Sequence, residues 1–379
     1  MKKILWQSFI LTLLLVVATV VATARQGDSR SKSFTVTKGG TLDLSVGGGD
    51  VRLASWEKNE VFVRADGVSS SDLEYLEMTQ SGNTVSVRFQ PRRSRSRNVK
   101  FDVKLPSDFN ATLKTAGGDI ELEGSISGKV KGSTAGGDIV LRDMAGSVEM
   151  TTSGGDIRTA TVRGNVVLKT SGGDIDVGNV DGEVEVATAG GDIRVESVGK
   201  SLRARTSGGD IKIGDIGGEA TVSTAGGDVR VGKVSGRASL STSGGDIRLR
   251  SASGNVTAKT AGGDVELRDV TGTAEAKTAG GNVVVELRST GKGPSLLSTA
   301  GGTVKLYVAE NVKATIDATI ELKRSWGWGK HEYDIMSDFK SETYEKGSDL
   351  IEATYKLNGG GERITLKTSN GNIEIRKLK

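Results

Sequence analysis

The nine residues TSGGDIRLR (residues 242–250) recur in near copies, as TSGGDIDVG (170–178) upstream and TAGGDVELR (260–268) downstream. With the Asp of each Gly-Gly-Asp triplet as origin, the copies fall at Asp119, Asp138, Asp156, Asp174, Asp192, Asp210, Asp228, Asp246 and Asp264. The first interval is 19 residues and the next seven are 18 each. Asn282 keeps the phase, and Thr303 resumes it after a three-residue insertion. A fixed period of this length marks a repeat architecture, in which one unit cannot bury its apolar face alone and must stack on its neighbours.

Within the unit, the residue after each Asp is Ile or Val, the next is mostly charged, and the third is usually apolar. That period of two is a strand with one buried face. A second alternation follows ten and twelve residues after the Asp, as in Val148/Met150, Val166/Leu168 and Val184/Val186. An apolar residue at the sixth place and a Gly at the eighth (Gly146, Gly164, Gly182) separate the two, with Gly199 one place early in its copy. Stacked in sequence order, such units form parallel, in-register strands ~4.8 Å apart. The pattern predicts an all-β, single-stranded parallel β-solenoid (β-helix) with 18-residue coils, two short strands per regular coil and irregular capping coils at both ends. The regular part makes a rod of roughly 45 Å at one strand spacing per coil; its hand stays open. A hexapeptide helix is excluded because the apolar positions do not recur every six residues. A calcium-binding nonapeptide roll is excluded because Asp follows the Gly pair directly, once per coil.

Length alone, 379 residues, suits two or three ordinary domains, but 54 Gly, 3 Pro and 4% aromatics do not. The core must be thin and built from Val, Ile, Leu, Ala and Thr. Lys and Arg number 51 against 47 acidic side chains, so charge gives no case for nucleic acid. Without cysteine there is no disulfide, thiolate metal site or Cys nucleophile. Residues 1–24 read as a secretory signal peptide: Lys2 and Lys3, an apolar stretch from Ile10 to Val21, then Ala22-Thr23-Ala24. The rival reading is an uncleaved anchor, weakened by Gln7 and Ser8. The expectation is an exported chain, periplasmic, cell-surface or secreted, with no transmembrane domain once the signal is removed. Residues 25–33 read as a short linker, 34–115 as an N-terminal strand-rich cap and 116–303 as the regular solenoid. Residues 304–379 read as C-terminal coils and a cap, with an aromatic insert at 324–345.

Four features carry candidate chemistry. The Asp column reads as a turn ladder rather than a calcium row: Gly-Gly is expected to supply φ > 0 and Asp to bond backbone N–H groups. Arg158, Arg194, Lys212, Arg230 and Arg248, two places on, offset its charge. The Thr fourteen places after each Asp is expected to point inward, its hydroxyl bonded along the stack. Arg92, Arg93, Arg95 and Arg97 in PRRSRSRNVK (91–100) form a basic loop able to clamp acidic polysaccharide or anionic headgroups, with a solvated hairpin as the plainer reading. SWGWGKHEYDIMSDF (325–339) gathers Trp326, Trp328, His331 and Tyr333, a stacking surface for sugar or partner, or an apolar seal on the last coil. No metal site, cofactor site or catalytic residue emerges, since one His has no repeated acidic or Ser partner and the carboxylates are spread by the repeat.

The chain resembles the bacterial "putative adhesin" β-helix family of exported and cell-envelope proteins. The resemblance rests on LDLSVGGGDVRLASWEKNEVFV near the start, FDVKLP, the TAGGDI units and the ending NGGGERITLKTSNGNIEIRK, covering residues 34 to 377. It implies a β-solenoid fold and a loose association with cell surfaces, and it carries no catalytic residues; the insert around Trp326 to Phe339 departs from it. Two functions follow as expectations. One is a non-enzymatic envelope scaffold, adhesin-like, making weak multivalent contacts with cell-surface glycan or an envelope protein. The alternative is a polysaccharide lyase or hydrolase on the same scaffold.

Overall fold

The computed structural model describes residues 29–92, 96, 98–322 and 333–378, so the leader read at 1–24 lies outside them. Among the described residues the chain is all-β apart from one 3-10 turn, Ser70–Tyr75. Each regular coil gives one strand to each of two long parallel sheets, the first of them 17-stranded. Ile193–Val198 and Leu202–Arg205 show the pattern. They pair with the strands one coil on, Ile193 against Ile211 and Leu202 against Ala220, an offset of one repeat. The inward columns Ile193, Ile211, Val229, Ile247 and Ala204, Val222, Leu240, Ala258 are buried, and residues between them face out. The fold expected from the repeat is therefore the fold found.

The sixth-place residue does more than separate strands. Val180, Val198, Ile216 and Val234 end the first-sheet strands and pair from coil to coil, while isolated bridges join Met144, Val162 and Val180. This makes a third inward column. Pairing skips the fourth place, where Gly178 and Glu196 stand opposite each other without a ladder pair, and the chain bends there.

Both ends depart from sequence order. The coil Thr41–Val46 and Asp50–Trp56 is stacked on one side against Asn110–Lys114 and Ile120–Glu123. On the other side lie Thr84–Phe89 and Lys100–Pro106. The outermost strands, Arg30–Thr35 and Leu76–Ser81, run antiparallel and occupy the edges. The C-terminal end repeats the device: Glu362–Thr368 and Ile373–Lys377 slot between the coil at 295–308 and an outer coil made by Ala314–Glu321 and Ile335–Ser337. Leu350–Leu357 and Thr343–Lys346 then close it antiparallel. A solenoid end exposes a row of unpaired backbone groups, and antiparallel hairpins are a compact way to cover it. Scarce aromatics are spent at the N-terminal end, where Phe89 and Phe101 pack with ring centroids 5.9 Å apart.

Within the stretch read as linker at 25–33 a strand begins at Arg30, exposed at every residue but Phe34. The stretch 34–115, read as a strand-rich cap, holds a complete coil, 41–56, and the strand Asn110–Lys114 that leads into the Asp119 corner.

Candidate functional site

The Gly-Gly-Asp corner is built from the Thr that precedes it. Thr206 is buried, and its Oγ1 donates 2.9 Å to the carbonyl of Gly191 in the preceding coil. The same oxygen sits 3.4 Å from the Gly209 N–H of its own coil, which donates to it. This pair of bonds repeats at Thr152, Thr170, Thr188, Thr224, Thr242, Thr260 and Thr278. The Thr column thus faces inward and ties adjacent coils together.

The glycines serve a different purpose from the one expected. None of the Gly-Gly pairs between 117 and 302 has a positive φ; Gly49, at an irregular corner, does. What they supply is space. A Cβ on Gly209 would stand 2.2 Å from the Gly191 carbonyl oxygen, whereas one on Gly208 would meet Gly190 O at 3.1 Å. The second Gly of each pair is where successive backbones touch.

Each Asp closes the corner with one oxygen. The Asp210 N–H donates 2.9 Å to Asp192 Oδ1, and Asp228 N–H donates 2.8 Å to Asp210 Oδ1, and so on along the rod. The row begins with Asp50, which accepts from Asp119 N–H at 3.2 Å, and continues through Asn282, whose Oδ1 accepts from Thr303 N–H. The other oxygen meets cations: Arg158 with Asp156 at 2.7 Å, Arg194 with Asp192 at 2.8 Å, Arg230 with Asp228 at 2.6 Å and Arg248 with Asp246 at 2.8 Å. Among the described residues no group of three His, Asp or Glu side chains is placed to hold a metal ion.

The last rung was not legible beforehand. Asp334, read as part of an aromatic insert, takes the Asp position of the outer coil, its N–H donating 2.9 Å to Asn372 Oδ1. Ile335 follows it, buried, opposite Ile373. Among the described residues no further coil donates to the Asp334 carboxylate; the Tyr344 hydroxyl donates to Oδ1 at 2.6 Å, Ile335 N–H donates to the same atom, and Lys346 lies 3.6 Å from Oδ2. Burial pushes the Asp334 carboxyl up, but these bonds outweigh it and leave its pKa below the usual range. The Tyr344 phenol, donating to a carboxylate and partly desolvated, is pushed up to about 12.

The remaining candidates separate in space. Arg92 is exposed at the start of the basic loop, and Arg93, Arg95 and Arg97 lie outside the described residues. Near Arg92 lies a polar hollow of about 740 Å³ lined by Gly47, Gly49, Asp50, Pro91, Ser96 and Lys100, among others. Trp326, Trp328 and His331 also lie outside the described residues; Tyr333, at the far end of the rod, is half-buried against the core. Of these candidates the described residues Arg92 and Tyr333 stand at opposite ends of the rod.

A single-chain parallel β-solenoid closed by antiparallel strands defines the class. The model of the Toastrack DUF4097 family matches twice, over residues 39–215 and 196–376, and the chain belongs to that family. Among solved structures it is similar to a "putative adhesin" from Parabacteroides distasonis ATCC 8503, with 13% identity over 74% of this chain and 97% of that one, TM-score 0.30. A "putative adhesin" from Bacteroides fragilis NCTC 9343 shares 11% identity over 93% and 97%, TM-score 0.24. A "putative lipid binding protein" from Parabacteroides distasonis ATCC 8503 shares 13% over 93% and 98%, TM-score 0.22. No curated protein matches the chain.

Proposed function

We propose that this chain is an exported, non-enzymatic scaffold of the cell envelope, adhesin-like, whose long faces make weak and repeated contacts with cell-surface glycan or an envelope protein. The observation that carries this is the register. Outward side chains such as Arg194, Lys212, Arg230 and Arg248 stand directly opposite one another on consecutive strands. The same chemistry is thus offered every ~4.8 Å along a stiff rod. Repetition on a rigid support converts weak contacts into avidity when the partner repeats too. Export follows from the leader at 1–24, and N-terminal sequencing of protein recovered outside the cytoplasm tests it: a start at Met1 refutes cleavage. A glycan array together with a reducing-sugar assay on the mature chain tests the scaffold. Binding without sugar release is the expected result, and turnover abolished by changing one carboxylate pair would replace the scaffold with a glycan-cleaving enzyme.

A further inference from the structure

Charge is not spread evenly along the rod. Residues 119–199 carry seven basic and fourteen acidic side chains, whereas residues 200–259 carry ten basic and five acidic. On the first sheet the basic zone coincides with a hollow of about 390 Å³ walled by Lys212, Arg230, Arg248, Arg250 and Arg268, with Glu266 the one acid in its lining. A second hollow, about 540 Å³, shares Lys212 and Ile213 with it and extends the depression toward Gly178, past Arg194 and two acids, Asp176 and Glu196. The two meet at Lys212 and Ile213 and form one groove along the solenoid axis, where Gly214 and Gly232 leave no side chain at the bend. Arg250 lies along that gap and reaches Asp215, two coils away, at 2.5 Å. A Cβ on Gly232 would stand 2.6 Å from the same Asp215 oxygen.

The cations in this groove are held but not consumed. Arg230 meets Asp228 at 2.6 Å and Asp210 at 3.7 Å, and Arg248 meets Asp246 at 2.8 Å and Glu266 at 3.6 Å, yet both side chains remain 44% exposed. Lys212 has no carboxylate within ion-pair distance among the described residues. Like charges directly opposite on adjacent strands repel; Arg194, Arg230 and Arg248 are offset by the Asp two places back, which leaves Lys212 as the point in the column where an external anion relieves the cost. Guanidinium groups held in place by carboxylates and still half exposed keep N–H groups that can meet a carboxylate or sulfate from solvent. The groove contains no aromatic side chain on which a nucleobase would stack.

Resting on the scaffold reading, we infer that the first-sheet groove at residues 212–268 binds a linear acidic polysaccharide, its carboxylate or sulfate groups meeting Lys212, Arg230, Arg248 and Arg250. The test titrates the mature protein with oligogalacturonate, a sulfated heparin oligosaccharide, neutral dextran and a single-stranded oligonucleotide. The acidic glycans bind, and binding weakens as salt rises; dextran and the oligonucleotide do not bind. Lys212→Glu, which replaces an unpaired ammonium, weakens binding about tenfold or more, and Lys212→Arg restores it. Arg203→Glu makes the same charge change on the second sheet and leaves affinity unchanged. Absence of acidic-glycan binding, equal loss in Lys212→Glu and Arg203→Glu, or equal binding of the oligonucleotide overturns the assignment. Capture of neutral glycans alone would overturn it too while leaving the scaffold reading intact.

Discussion

Gly208 and Gly209 are adjacent, both in the same turn, and their replacement by Ala should have very different consequences. At Gly208 the new methyl meets its nearest atom, Gly190 O, at 3.1 Å, so a shift of a few tenths of an ångström accommodates it. At Gly209 it meets Gly191 O at 2.2 Å and Gly191 C at 2.5 Å. Relieving that overlap requires the coils to part by about 1 Å, given carbon-oxygen contact distances above ~3 Å. The movement opens the Thr206–Gly191 bond, now 2.9 Å, and weakens the Asp210–Asp192 bond beside it. Overpacking costs about 1–3 kcal/mol, and two lost hydrogen bonds add roughly 0.5–1.5 kcal/mol each. Gly209→Ala should therefore cost about 2–6 kcal/mol and Gly208→Ala under ~1 kcal/mol. Guanidinium unfolding followed by circular dichroism measures both, and amide exchange at residues 189–212 localises the damage. Equal costs would show that the second Gly of each pair is not a contact point, and the account of the corner would fail.

Further outcomes follow from the same geometry. Thr159 Oγ1 is buried and has no hydrogen-bond partner, in a column otherwise held by residues such as Leu141 and Val177. Thr159→Val should raise stability by about 0.5–1.5 kcal/mol, and a lower melting temperature would contradict this. Thr206→Val leaves the Gly191 carbonyl and Gly209 N–H unsatisfied and should cost about 1–3 kcal/mol, whereas Thr206→Ser should restore most of it; urea titration separates them. Deleting residues 211–228 joins Asp210 to Val229 in phase and should leave a shorter folded rod by small-angle scattering, while deleting residues 211–219 should not fold. Asp334 has a lowered pKa and Tyr344 one near 12, so their bond is intact at neutral pH. It is lost as pH falls through the lowered Asp334 value, because protonation removes the acceptor's charge. It is lost again as pH rises from about 10 towards 12 and the phenol ionises. Amide exchange at residues 335–337 should quicken at both extremes, and Tyr344→Phe should abolish the alkaline change; an unchanged alkaline profile in the variant would exclude Tyr344 as its cause.

Part of the candidate chemistry could be read from residue order because it repeats. The Asp, Thr and basic columns share one phase, and a phase is visible in one dimension. Asp334 escaped because the YDIM segment keeps only the Asp-Ile of the motif, and the Gly pair that flags it elsewhere is missing. The groove at Lys212 escaped for another reason. Its walls come from several coils and its floor from side chains that are not there, so no local stretch spells it. Even the glycines misled, since Gly-Gly reads as a left-handed turn when nothing shows the neighbouring backbone that forbids a Cβ.

Residue order by itself determined the coil length, the two parallel strands per coil and the aliphatic columns within. In a stack each unit's neighbour is its own near copy, so local pattern and tertiary contact become the same information. Where that identity stops, at the two ends, only the folded chain decides. There the coil at 41–56 and the coil at 362–377 lie inside strands that sequence places later or earlier. The choice depends on which segment can satisfy an exposed row of backbone groups, a comparison between distant parts of the chain that no local spacing records.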